Sequence, residues 1–202
     1  MSGPILPANG PAEPERGDAA RNRAAILVAA RELVAQCGAA ALTMDAVAFR
    51  AGLGKGTVFR RFGSRAGLML ALLDQSEREF QQAFMFGPPP LGPGAPARER
   101  LMAFGRARLA FMDVHGEVER ARDLSAAIHF GSAAARLQHT HLEMLLRDGG
   151  VPGDARALAY YLAAGFDAGR VAFLLETGEF THEQLAAGWE QLVDNVLPPL
   201  SE

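Results

Sequence analysis

An all-α fold is the class this sequence predicts, and three observations predict it. Apolar residues recur at three- and four-residue intervals in stretch after stretch, the period of a helix with one buried face. No segment sustains the apolar–polar alternation of a half-buried strand. Glycine and proline gather at the joints, at Gly38, Gly52 to Gly54, residues 87–96, Gly149 to Gly153 and Gly178. With 202 residues, 49% of them hydrophobic, the chain is long and apolar enough to bury a core.

The elements follow in order. Residues 1–18 carry Pro4, Pro7, Pro11 and Pro14 among glycines and few large apolar groups, so a flexible tail is expected there. From about Arg21, Ile26, Leu27, Ala30, Leu33, Val34 and Cys37 line one face of a helix that Gly38 ends, with Cys37 expected as a packed thiol. Thr43 is placed to cap a second helix whose inward face is Met44, Val47, Ala48 and Ala51. A tight turn at Leu53 and Gly54 leads to a short helix over Lys55–Phe62. Ser64 is a cap for a long fourth helix packed through Met69, Leu72, Leu73, Ser76, Phe80, Ala83 and Phe84. Five prolines and three glycines in residues 87–96 bar any helix from crossing that stretch. Beyond it the spacing predicts helices near 98–115, 117–129, 132–148, 154–177 and 182–197.

Charge divides the chain unevenly. The formal total is −3, yet residues 16–70 hold nine basic side chains against three acidic ones, while the remainder is acidic. A basic first third on an acidic body is the distribution expected of a polyanion-binding module. No apolar run reaches the roughly 18 residues that a bilayer-spanning helix needs, and residues 1–20 lack a basic start followed by an apolar stretch. The expectation is a cytoplasmic protein with no membrane partner. Cys37 is the only cysteine, which excludes an intramolecular disulfide and a cysteine-based zinc site.

Thr43–Phe62 reads as two short helices joined by Ala51-Gly52-Leu53-Gly54, the helix-turn-helix arrangement that lays its second helix in the DNA major groove. On that second helix Val58 and Phe62 face inward. Lys55, Gly56, Thr57, Arg60 and Arg61 face outward. A guanidinium grips phosphate or the O6/N7 edge of guanine, and a threonine touches phosphate or a thymine methyl. Lys55 is the only lysine in the chain.

Taken together, Ile26 to Leu33, Gly38, Leu42-Thr43-Met44, Ala51 to Phe62 and Ser64 to Leu68 resemble, in order and spacing, the TetR/AcrR family of bacterial regulators. The resemblance covers about residues 21–75. It implies an N-terminal three-helix helix-turn-helix domain over 19–66, and a helical ligand-binding and dimerisation domain over 67–202. It also implies a homodimer that offers one reading helix to each half of a near-palindromic operator in double-stranded DNA. A ligand-responsive transcriptional regulator, as a rule a repressor, is the function so implied. Carried over by position, Thr43 touches phosphate, Lys55, Gly56, Thr57, Arg60 and Arg61 lie in or beside the groove, and Arg65 is a backbone contact. Phe59 stands where the family commonly has a tyrosine whose hydroxyl bonds phosphate, so only packing remains there. Arg61 replaces a frequent histidine, and Ala66 a usual acid.

The C-terminal part is less distinctive. Family members pair their last two long helices across the dimer, and the expected interface here is Leu162, Gly165, Phe166, Gly169, Phe173 and Trp189. An intramolecular core is the alternative for the same residues. Phe104, Phe111, Met112, Leu124, Ile128, His129, Leu145 and Tyr161 are the candidates for an effector cavity. With few charges at hand (Arg108, Asp123, His129, Asp167), a small apolar or aromatic effector is expected.

Three sharper readings fail. Gly52 to Thr57 imitates a phosphate loop, but glycine follows the lysine and no strand precedes it. His139 and Glu143 share a helix face, but His141 points to the opposite side, so partly exposed polar residues are expected there rather than metal ligands. Glu179 and His182 imitate a di-iron motif, yet Thr181 with Gln184 is a capping box that leaves Glu179 outside the helix. No metal and no cofactor is expected. A helical-bundle enzyme is the reading from another class, and no nucleophile with its base supports it. A DNA-binding dimer without any ligand is the remaining alternative.

Overall fold

The computed structural model describes residues 13–123 and 133–198, and among them every regular element is a helix. They are α1 (Glu13–Cys37), α2 (Met44–Arg50), α3 (Lys55–Phe62), α4 (Arg65–Phe86), α5 (Ala97–Asp123), α6 (Ala133–Asp148), α7 (Ala155–Ala164), α8 (Ala168–Glu176) and α9 (His182–Val196), with one 3₁₀ turn at Ala39–Ala41. The chain forms two compact units, Met1–Leu72 and Leu73–Glu202.

In the first unit α1 packs on α2 and α2 on α3. Its core is Ile26, Leu27, Ala30, Leu33 and Val34 from α1, Leu42, then Met44, Val47 and Ala48 from α2, Val58 from α3, and Leu68, Met69 and Leu72 from α4. Each set keeps the helical spacing read from the sequence. The helix begins already at Glu13, so residues 13–18 do not belong to a tail. Pro14 is no obstacle, because a proline in the first turn lacks an N–H that would have no intrahelical acceptor anyway. Cys37, expected as a packed thiol, is exposed at the last residue of α1.

The second unit is built around α5, which packs on α6, α8 and α9, while α7 lies against α6. An aromatic cluster fills the middle. Phe80 meets Phe84, Phe104 and Phe111 with ring centroids 5.2, 5.3 and 5.9 Å apart. Phe166 joins Phe104 to Trp189, whose ring lies 4.6 Å from its own. The Trp189 indole donates Nε1–H to the Leu101 carbonyl at 2.8 Å. Gly105 makes that approach possible, since a Cβ there would sit 2.1 Å from the indole nitrogen.

Two expected boundaries move. Gly116 does not end a helix, and α5 runs through it to Asp123; a single glycine costs about 1 kcal/mol in a helix, which a long packed helix absorbs. The helix expected over 154–177 is instead two, α7 and α8, bent by 41°. Asp167 makes the break, because its carboxylate accepts from Arg170 N at 2.8 Å and caps a new start. Among the described residues no single helix is long and apolar enough to cross a membrane.

Candidate nucleic-acid interface

The candidate interface starts from a cap and a turn. Thr43 is extended (φ −110°, ψ 154°), and its hydroxyl accepts from Ala46 N at 3.1 Å, so it starts α2 as expected. At the other end Gly52 N–H reaches Phe49 O at 3.2 Å and Leu53 N–H reaches Ala48 O at 3.0 Å, the paired bonds of a Schellman cap. Gly52 adopts φ 65°, which glycine takes without a Cβ clash. Leu53 and Gly54 then aim the chain into α3.

α3 has a clear inside and outside. Val58 is fully buried and Phe62 half-buried, which anchors the helix from behind. Lys55, Gly56, Phe59, Arg60 and Arg61 are exposed and Thr57 is half-buried. A Cβ added at Gly56 would meet nothing within 4 Å, so the face stays open there. Phe59 is 41% exposed and has the Lys55 ammonium 5.7 Å from its ring centre.

The cations around this face differ in what they already hold. Lys55 Nζ lies 2.7 Å from an Asp45 carboxylate oxygen, an exposed pair of small worth that a phosphate can displace. Arg50 donates to Gln36 Oε1 at 2.7 Å, and Glu32 lies 3.6 Å away. Arg61 donates to the Ala19 carbonyl at 2.6 Å and so ties α3 to the start of α1. Arg65 donates through Nε to Leu42 O at 2.8 Å and through Nη2 to Ala39 O at 2.7 Å. It braces the start of α4 against the 3₁₀ turn. Arg60 makes no hydrogen bond or ion pair among the described residues and is exposed.

Sequence reasoning missed one wall of this surface. Asp18, Ala19 and Asn22 of α1 face Thr57, Arg60 and Arg61 of α3 across a cleft of about 400 Å³. The signal was present in the helical spacing of the two triplets, but only the fold sets them face to face. Phe49 was also missed, and it stands 91% exposed on α2.

In the second unit Phe104, Phe111, Met112 and Leu145 are buried, as an effector cavity or a plain core would have them. Tyr161 is not with them: it is 77% exposed on α7, because Ala155, Ala159 and Leu162 form the inner stripe of that helix. Leu124, Ile128 and His129 lie outside the described residues. Of the expected interface, Leu162, Phe166 and Trp189 are buried inside their own unit, whereas Phe173 is 58% exposed and Gly165 and Gly169 are exposed. His139 is half-buried and stacks on Tyr160 at 4.1 Å. His141, on the opposite side, is buried, with its ring 4.4 Å from Phe84 and 5.7 Å from Phe104. Burial, and then the Arg100 charge, push its pKa down to about 4. Thr181 and Gln184 form the expected capping box, leaving Glu179 outside α9.

A capped helix, a Schellman turn and a short second helix with a cationic outer stripe define a helix-turn-helix DNA-binding unit. Residues 26–72 match the family described as bacterial regulatory proteins, tetR family. That match places the family's DNA-binding domain in the first unit of this chain. The fold agrees. The fatty acid degradation regulator FadR from Bacillus halodurans superposes with a TM-score of 0.60 at 15% identity, over 97% of this chain and 100% of that one. A TetR-family regulator from Pectobacterium atrosepticum gives 0.56 at 23% identity, over 92% and 99%. The reduced form of NemR from E. coli gives 0.57 at 17%, over 90% and 100%. No curated protein sequence matches the chain.

Proposed function

We propose that the chain is a ligand-responsive repressor of the cytoplasm, which binds a near-palindromic operator as a homodimer and is released by a small apolar or aromatic effector. The carrying observation is the outer stripe of α3, where the exposed Arg60 guanidinium, without a partner among the described residues, stands near Thr57 on a helix anchored by Val58. Residues 19–66 contact DNA and residues 67–202 dimerise and sense. Thr43, Lys55, Gly56, Thr57, Phe59 and Arg60 meet the duplex, while Arg61 and Arg65 hold the frame that presents them.

Dimerisation falls to what is left outside the core. Phe173 with Gly165 and Gly169 offers a small-residue surface with an aromatic anchor, and Tyr161 and Leu192 add exposed apolar area. Leu162, Phe166 and Trp189 support that surface from within. The effector would lie among Phe104, Phe111, Met112 and Leu145. Coupling would run through α4, an unbroken helix from Arg65 to Phe86, because half-sites lie about 34–36 Å apart and a changed separation of the reading helices lowers affinity.

The test is a gel shift of the full chain on the DNA upstream of its own gene, with and without aromatic compounds. Arg60→Ala weakens specific binding by about 1–3 kcal/mol if it contacts a base, with the dimer intact. Full retention of binding by Arg60→Ala refutes the reading helix. Operator affinity that no effector shifts leaves the ligand-free regulator as the correct reading.

A further inference from the structure

We infer that the cleft between α1 and α3 seats a phosphate of the DNA backbone, and that Asn22 is a contact residue there. The inference rests on the operator-binding reading above and adds a second helix to the contact surface. Asp18, Ala19 and Asn22 make one turn-wide stripe on α1, and Thr57, Arg60 and Arg61 make a matching stripe on α3. The opening between them, about 400 Å³, is bounded by groups suited to an anion: an amide N–H₂ on Asn22, a hydroxyl on Thr57 and the guanidinium of Arg60.

One hydrogen bond fixes the wall in place. The Arg61 guanidinium donates to Ala19 O at 2.6 Å, which holds the first turns of α1 beside the reading helix. Arg61 thereby acts as a strap, and Arg60, with no partner among the described residues, is the charge left to meet phosphate. Asp18 is the one acid at the rim, and it is paired with Arg21 on its own helix. That pairing offsets part of its charge. A neutral donor such as Asn22 positions a phosphate without releasing a counterion.

That distinction makes the assay specific. Full-length chain is titrated against a labelled random-sequence duplex across a salt series, and each variant is melted in parallel. Asn22→Ala lowers affinity a few-fold and leaves the salt slope unchanged, whereas Arg60→Ala lowers the slope by about 0.9. Asn22→Arg raises affinity and steepens the slope by about 0.9, and Asn22→Asp lowers affinity by about tenfold or more. A gain on Asn22→Arg cannot come from loss of folded protein. If Arg60→Ala weakens binding while the Asn22 series is flat, the cleft inference is overturned and the reading helix stands. If Arg60→Ala also binds as the parent does, the operator-binding reading itself fails.

Discussion

Replacing Arg65 by alanine removes two hydrogen bonds at once, from Nε to Leu42 O at 2.8 Å and from Nη2 to Ala39 O at 2.7 Å. Bonds from a charged donor contribute about 1.5–3 kcal/mol each when shielded. Arg65 is exposed and only the Leu42 bond is part-buried, so water recovers much of that, and about 1–2 kcal/mol for the pair is expected. Against a total stability of about 5–15 kcal/mol this is measurable as a lower urea midpoint by far-UV circular dichroism, at unchanged slope. Arg65→Lys keeps the charge but loses the planar fork, so about half the loss should remain. The family resemblance implied a phosphate contact for this residue, which would lower the salt slope of DNA binding by about 0.9 on Arg65→Ala. Unchanged urea midpoints in both variants, together with that drop in slope, would refute the brace and restore the contact.

Three more outcomes are expected. Gly105→Ala places a methyl group against the Trp189 indole and destabilises the second unit by about 1–3 kcal/mol, seen as a lower melting temperature and a red shift in the emission of the chain's single tryptophan. His141 binds fewer protons folded than unfolded, because its pKa falls from 6.5 to about 4 on folding. Stability should therefore be complete above pH 6.5 and decline by on the order of 3 kcal/mol toward pH 4. His141→Gln should remove that part of the acid sensitivity in pH-dependent melts, with the smaller His139 contribution, of the same sign, remaining. Thr43→Val loses the cap on Ala46 N and costs about 1 kcal/mol in a thermal melt, whereas Thr43→Ser retains it.

Much that depends on near neighbours was legible in the sequence, although the Asp167 cap that separates α7 from α8 was not. The Thr43 cap, the Gly52 turn, the Thr181–Gln184 box and the inward spacing of Val58 and Phe62 each involve residues within a few positions of one another. Backbone geometry and helical period decide them, so they can be read from type and spacing. The all-helical fold and the helix-turn-helix follow from the same local rules.

The tertiary structure alone decided which polar groups are spent inside the protein. Arg61 finds a carbonyl 42 positions earlier, Arg65 finds two at 23 and 26, and Trp189 reaches back 88 to Leu101. His141 lies on a helix whose polar neighbours gave no sign of its burial against Phe84 and Phe104. Leu162, Phe166 and Trp189 had the composition of either a core or an interface, and packing placed them in the core. The physical reason is the same throughout: a side chain's chemistry is a local property, but the group that satisfies or desolvates it is supplied by whatever distant segment the fold brings alongside.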